Sequence, residues 1–345
     1  MKALILNNLP IETGIGHYAY MLLESMKPDV ELINFLPTKH DRQNLTFYGE
    51  MVESFTNSRT INFLARQMVN RTIIKRIDEF DGLIHYAAPS MFPVGNYSAE
   101  NRLGTIHDMF PLEYSYKHCN SFIMSLYLRK SLTATLKIPN VIVFTEWMRD
   151  KLRENYSYAG KIYVVPHAYA KWFDKLDVER TTEVFPKKEG EHYILSVSTD
   201  KPRKNLKILP EVMNILGVGY KLVRVGPGVS DSITLDHLSP IQLAQVYRSC
   251  DALIFPSLDE GFGYPIVEAF ASALPVAASD IPVFKEIGGN AVEYFDPNKP
   301  EDAAEALKKI ISDKEKYVKK SIERAKLYSP ELFAQRMREV YNSII

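Results

Sequence analysis

The stretch Phe255-Pro256-Ser257-Leu258-Asp259-Glu260-Gly261-Phe262-Gly263-Tyr264-Pro265-Ile266-Val267-Glu268-Ala269 carries the densest set of chemically useful residues in the chain. It leaves an apolar strand, passes a turn with two glycines and enters a helix expected to open with Pro265 at its first position, where a missing N–H costs nothing. The backbone N–H groups of Gly261, Phe262 and Gly263 can come close to a ligand, because the two glycines lack side chains. The helix start adds orphan donors and the positive end of a dipole, which suits a diphosphate. Glu268 lies about one turn in and leans back toward that start. Glu260 and Glu268 are thus aimed at one ligand rich in hydroxyls, with Tyr264 and Pro265 beside it. A bare Glu-x7-Glu spacing is common by chance. Between a strand, a Gly-x-Gly turn and a proline-started helix it is specific.

A second run, Ser196-Val197-Ser198-Thr199-Asp200-Lys201-Pro202-Arg203-Lys204-Asn205-Leu206, also follows a strand. Arg203 offers a fork of donors and Lys204 a point charge for phosphate oxygens. As charge develops on a departing diphosphate, both stabilise the transition state more than the ground state. Taken alone the run reads equally well as a solvated basic turn; its place in the same half as the glutamates favours phosphate. Thr13-Gly14-Ile15-Gly16-His17-Tyr18-Ala19 has the letters of a dinucleotide fingerprint, which would suggest an NAD-dependent enzyme. In a Rossmann unit the first glycine directly follows the strand, whereas residues 7–13 intervene here. Gly14, Ile15 and Gly16 are therefore read as a glycine loop that closes on a diphosphate, with a plain turn as the alternative. Gly104-Thr105-Ile106-His107-Asp108 ends a buried strand on a histidine and an aspartate. His107 becomes a candidate at the reacting centre and Asp108 one on the acceptor side, although a single histidine is more often structural.

These residues need a scaffold, and the hydrophobic pattern supplies one. Short apolar runs fall at 3–6, 31–35, 82–85, 103–107, 140–145 and 161–166, then at 193–198, 221–225, 252–256, 275–278 and 291–295, with helical periods between most of them. Such alternation predicts an α/β protein with parallel sheets covered by helices on both faces. The charged, aperiodic stretch 174–191 marks a break, giving an N-terminal acceptor domain over 1–180 and a C-terminal donor domain over 181–328. The remaining 329–345 reads as a closing helix with Leu332, Phe333, Met337, Val340, Tyr341 and Ile344 on one stripe, expected to pack back on the N-terminal domain. Two doubly wound domains would bind their ligand beyond the carboxyl ends of the strands, in an interdomain cleft.

Composition narrows the function classes. At 345 residues the chain exceeds what one core usually serves. Lys plus Arg balance Asp plus Glu at 42 each, without the basic excess of a nucleic-acid protein. Cys119 and Cys250 are the only cysteines, too few for a disulfide framework or a cysteine zinc site, and a reducing cytoplasm is the expected compartment. The apolar run at Ala3-Leu4-Ile5-Leu6 is far too short for a signal peptide or a membrane span, so any membrane contact would be peripheral. Two basic amphipathic stretches could provide it. One, at 62–77, holds Arg66, Arg71, Lys75 and Arg76; the other, at 114–138, holds Lys117, Arg129, Lys130 and Lys137. A core helix with a solvated face is the plainer reading of both.

The four elements in this order resemble family 4 of the retaining GT-B glycosyltransferases. The likeness runs along nearly the whole chain and is densest over 253–297, through Glu268-Ala269-Phe270-Ala271-Ser272-Ala273-Leu274-Pro275 and Glu293-Tyr294-Phe295-Asp296-Pro297. The Thr-Gly-Ile-Gly, His-Asp-x-x-Pro and Pro-Arg-Lys-Asn forms are similar to those of polysaccharide mannosyltransferases. The resemblance implies transfer of a hexose, with mannose or glucose expected, from a nucleotide-diphosphate sugar to a glycan, lipid-linked or small-molecule acceptor. Glu268 would hold the ribose hydroxyls, and Glu260 would face the donor sugar with the backbone of Gly261, Phe262 and Gly263. Arg203 and Lys204 would bind the diphosphate, helped by Gly14, Ile15 and Gly16, with His107 near the reacting carbon. Base contacts are expected from backbone around Gly226-Pro227-Gly228 and 235–238. No protein nucleophile and no cofactor are implied, since in this family the diphosphate is thought to help deprotonate the acceptor. No Asp-x-Asp triplet occurs, so the metal-dependent GT-A plan gets no support and no metal is expected.

Three positions depart from the family pattern: Ser198 and Ala273 stand where glycine is usual, and Pro166-His167-Ala168 replaces Pro-x-Gly. Each adds a side chain at a tight backbone site without removing a charge. Two other functions stay open, a nucleotide-sugar 2-epimerase on the same fold and a nucleotide-sugar-binding protein without transfer activity.

Overall fold

The computed structural model of the protein describes residues 2–7, 14–27, 30–34, 77, 79–88, 97–113, 122–173 and 184–345. By contact the chain divides into two compact units, Met1–Pro166 with Phe333–Ile345, and His167–Leu332. Each is built on a six-stranded sheet whose described pairings are all parallel.

In the first unit, β1 (Ala3–Asn7), β2 (Val30–Asn34), β3 (Leu83–Tyr86), β4 (Arg102–Thr105), β5 (Asn140–Val143) and β6 (Lys161–Val164) lie in the order β2-β1-β3-β4-β5-β6. Every side chain of β1, β3 and β4 is buried, as in strands covered on both faces. Alternate residues point to opposite faces. Leu4, Leu6, Ile84 and Tyr86 accordingly share a core with Ile77 and Ile138, while Val141 and Val143 join Ile106, Leu132, Met148 and Leu152 in another. Thr145, expected to end a strand, instead leaves it and caps the helix Glu146–Tyr156, its hydroxyl accepting from Met148 N at 3.2 Å.

In the second unit, β7 (His192–Val197), β8 (Tyr220–Val225), β9 (Ser232–Leu235), β10 (Ala252–Phe255), β11 (Val276–Ser279) and β12 (Val292–Phe295) lie in the order β12-β11-β10-β7-β8-β9. Ile194, Leu222, Ile254 and Ala277 pack against Val212, Ala303, Leu307 and Ile310 of the flanking helices. The chain runs outward from β7 to β9, then returns to β10 on the other side of β7. Loops following β7 and β10 therefore leave in opposite directions, and that switch point is where open α/β sheets take ligands. In the first sheet the corresponding point falls between β1 and β3.

Several expectations need correction. β9 was not anticipated; it is four residues at a sheet edge with no buried position, so it carries little hydrophobic signal. β4 stops at Thr105, which puts His107 in the loop beyond it. The expected break at 180/181 lies within residues 174–183, which are outside the described residues. The final helix, Pro330–Asn342, buries Phe333, Met337, Val340 and Tyr341 of the expected stripe and is grouped with the first unit from Phe333 onward. Residues 8–13, the basic stretch 62–77 apart from Ile77, Lys117 and Cys119 lie outside the described residues. Among the described residues no helix is long and apolar enough to cross a membrane.

Candidate functional site

Both charged loops of the second unit leave the sheet at its switch point, one after β7 and one after β10. Arg203 and Lys204 sit in a single tight turn, Pro202–Lys204, which Asn205 ends in the left-handed region at φ 54°. The Asn205 side chain donates to the Pro297 carbonyl at 2.7 Å, and Leu258 N donates to the Arg203 carbonyl at 2.7 Å. The two loops are thereby tied into one body.

Glu260, 9% exposed, lies between the two cations. Its Oε2 accepts from Arg203 Nη1 at 2.6 Å and its Oε1 pairs with the Lys204 ammonium. Arg203 Nη1 also donates to the Asp259 carbonyl at 2.9 Å, and Lys204 stands 5.4 Å from the centre of the Phe255 ring. Burial alone would push the Glu260 carboxyl up, but Lys204 and Arg203 outweigh it and hold the group below the ordinary glutamate range. The sequence assigned these three side chains to sugar and diphosphate separately; the fold joins them in one ion triad.

Beyond Glu260 the chain makes the expected glycine turn. Gly263 has φ 126°, open to glycine and strained for other residues. The following helix is Tyr264–Ala271, so Pro265 is at its second position rather than its first, and no side chain caps its start. Phe262 is buried, its ring 5.4 Å from His167, 5.7 Å from Tyr264 and 6.0 Å from Tyr328, which leaves only its backbone for a ligand. The Tyr264 hydroxyl lies 2.6 Å from His167 Nδ1. Glu268 is half-buried and accepts from the Tyr247 hydroxyl at 2.6 Å. Burial pushes its carboxyl up to about 7, against the downward pull of that hydrogen bond.

Two contributors escaped the sequence. Tyr247 lies on the helix Pro240–Ser249, where its apolar surroundings read simply as core. Arg224 lies on β8 and is fully buried. Its guanidinium donates to the Ser196 carbonyl at 2.8 Å, the Ser196 hydroxyl at 2.9 Å, the Ser198 carbonyl at 2.9 Å and the Pro227 carbonyl at 3.3 Å. Gly226, at φ 108°, presses so close that a Cβ there would strike the Ser198 carbonyl oxygen. An arginine in a strand usually signals a solvated face, so nothing in the local pattern announces a buried one.

The first unit is described on its own. Gly14, Ile15 and Gly16 form the first turn of the helix Gly14–Met26 rather than a loop, with Ile15 half-buried and Gly16 buried. In a parallel sheet that helix start faces the carboxyl ends of the strands, the right end for an anion. His107 is 8% exposed and donates from Nε2 to the Ala87 carbonyl at 2.8 Å, with its ring 5.0 Å from those of Tyr18 and Phe144. Burial lowers it to about 4, against the effect of the Ala87 hydrogen bond, so the ring is neutral at physiological pH. Asp108 follows, half-buried. Among the described residues no group of three His, Cys, Asp or Glu side chains is placed to hold a metal ion.

Residues 177–327 match a family model described as Glycosyl transferases group 1. The chain is 30% identical over 228 residues to the O-antigen chain mannosyltransferase RfbU of Salmonella typhimurium, a match spanning 61% of each chain. Among solved structures, sucrose-phosphate synthase of Thermosynechococcus elongatus superposes with a TM-score of 0.75 at 17% identity, covering 100% of this chain and 99% of that one. Alr3699/HepE of Anabaena, in complex with UDP and glucose, gives 0.72 at 14% identity, covering 99% and 100%. At those identities the likeness is one of fold, and the fold is GT-B.

Proposed function

We propose, for a chain whose residues 177–327 match the group 1 glycosyl transferase model, that the protein is a retaining hexosyltransferase using a nucleotide-diphosphate sugar. The observation that carries this reading is the meeting of Arg203, Lys204 and Glu260 at the β7/β10 switch point, beside an uncapped helix start. Arg203 and Lys204 bind the diphosphate and Glu260 receives hydroxyls of the sugar. Glu268 holds the ribose, and the backbone of Gly261 to Gly263 lies along the sugar and phosphate. RfbU is named a mannosyltransferase and HepE is seen with UDP and glucose, which supports mannose or glucose as the hexose.

In this reading the bond from the sugar's anomeric carbon to the leaving phosphate oxygen breaks while the acceptor oxygen bonds to the same face of that carbon. The acceptor's proton passes to the departing diphosphate, so neither nucleophilic side chain nor metal is called for. Lys204 matters most as charge builds on the leaving group. Lys204→Ala should therefore lower kcat and kcat/KM together; a rise in KM alone would remove its transition-state role.

A thermal-shift panel of UDP, GDP and ADP with their sugars tests the site. A ligand at 100 times its Kd adds about 2.7 kcal/mol of stability. No response to any of them would sink the assignment, and sugar interconversion without acceptor would turn it toward an epimerase. Product NMR with the responding donor reads the anomeric outcome. Peripheral membrane contact is part of the proposal. On the helix Phe122–Thr135, Leu126 is 45% exposed beside exposed Arg129 and Lys130. Liposome co-sedimentation should depend on anionic lipid; equal pelleting without it would end that part.

A further inference from the structure

We infer that Arg224 is a positioning residue of the diphosphate site: its guanidinium locks the loop that carries Arg203 and Lys204 against the Gly226-Pro227 turn and furnishes that loop with an extra positive charge from below. The inference rests on the reading of Arg203 and Lys204 given above. Arg224 is 0% exposed, yet among the described residues it forms no ion pair. Its acceptors are the neutral oxygens of Ser196, Ser198 and Pro227, the Ser198 hydroxyl among them at 3.4 Å. A buried charge is costly unless it is compensated, and an apolar residue would fill a sheet interior without that cost.

The charge balance of the switch point gives the arginine a purpose. The triad of Arg203, Lys204 and Glu260 carries one net positive charge, since the carboxylate is held ionised by its two partners. Arg224 adds a second positive charge, partly offset by the nearby Asp200 carboxylate, and although burial lowers it to about 10 it stays charged at neutral pH. A nucleotide sugar carries two ionised phosphates, so a further buried positive charge behind the loop favours the proposed ligand. The fork also takes up the Ser196 and Ser198 carbonyls, negative dipole ends that an anion site has no use for. Ser198, where the family resemblance leads one to expect glycine, is thus bound by its carbonyl and its hydroxyl to one cation. Pro227 is bound to the same group, so the turn expected to meet the base and the loop expected to meet the phosphates move as one piece.

Displacement calorimetry with GDP and UDP, each set against its own nucleoside, isolates the charge-dependent part as the ratio of nucleoside Kd to diphosphate Kd. Arg224→Gln keeps a hydrogen-bonding side chain and removes the charge. The expected result is a fall of about tenfold in that ratio, with nucleoside affinity within about twofold of wild type. An unchanged ratio overturns the inference. So does an equal loss for nucleoside and diphosphate, which a merely structural arginine would produce. Should Arg224→Gln not fold, Arg224→Lys decides: a ratio clearly above that of Lys204→Ala supports the inference, and one equal to it overturns it. If wild type binds nucleoside and diphosphate alike, or Lys204→Ala leaves the ratio intact, the diphosphate reading itself fails and the inference falls with it.

Discussion

Glu260 binds the same two cations that a diphosphate would use, so carboxylate and phosphate compete for them. Glu260→Gln should tighten GDP or UDP by roughly tenfold while cutting turnover, because the competing charge goes and the sugar contact weakens. Calorimetry and initial rates read the two effects; weaker nucleotide binding would mean that the carboxylate chiefly holds the cations in place. Glu268 makes a second, opposite case. Burial raises its pKa from 4.5 to about 7 in the folded protein, so the ionised form that accepts ribose hydroxyls is lost as the pH falls through 7, and donor KM should climb below it. Tyr247→Phe removes a hydrogen bond that favours the carboxylate, and the inflection should move to higher pH. The native state also holds that proton more tightly than the unfolded chain between about 4.5 and 7, so stability falls as the pH rises across this window. Glu268→Gln should therefore raise Tm at pH 8 more than at pH 5, although donor binding suffers. An equal change at both pH values would show that Glu268 is not the group responsible.

In the second unit, the turn after β8 and the turn before the helix Tyr264–Ala271 adopt backbone that few residues can make. Gly226 and Gly263 have positive φ, and Gly226 also has no room for a Cβ. Gly226→Ala should cost about 1–3 kcal/mol from the backbone alone, more for the collision with Ser198, and donor binding should fall with it because the β7 loop must shift. Ala273 runs the other way. It adopts φ 55° just after the helix Tyr264–Ala271, at a position the resemblance gives to glycine. Ala273→Gly should stabilise the protein by roughly 0.5–1 kcal/mol, the left-handed strain relieved exceeding the added unfolded-state entropy; a lower urea midpoint would refute this. These positions show what was legible. Strand-loop-helix order, the glycine turn and the basic loop lie in contiguous sequence, and the fold carries all of them. β9 stayed hidden because an edge strand has little to bury. Arg224 and Tyr247 stayed hidden because their partners are distant in sequence, Ser196 and Ser198 for one, Glu268 for the other. The union of Glu260 with Arg203 and Lys204 was equally unreadable, for it depends on β7 and β10 being neighbours.

Across the whole molecule, the order in which the chain completes its units matters. The second unit is continuous, His167–Leu332, whereas the first draws on Phe333–Ile345. Those last residues are more than surface cover. Tyr341 is fully buried, its hydroxyl 2.7 Å from His85 Nδ1. His85 Nε2 lies 2.6 Å from the Thr105 hydroxyl, which lies 3.0 Å from that of Tyr18. Burial, with His107 nearby, lowers His85 to about 3, so the chain of hydrogen bonds is uncharged at physiological pH and should not respond to pH changes above about 4. Phe333 adds an edge contact to Tyr18, with ring centres 6.1 Å apart. During synthesis the second unit can fold first, while the first waits for the final helix to fill its core. Tyr341→Phe would leave a buried imidazole nitrogen without its partner, at a cost of about 1–3 kcal/mol. Hydrogen exchange should show that loss in β1, β3 and β4, with β7, β10 and β11 unchanged. A loss of protection spread evenly over both sheets would mean that the two units unfold as one, and the ordered route would have to be given up.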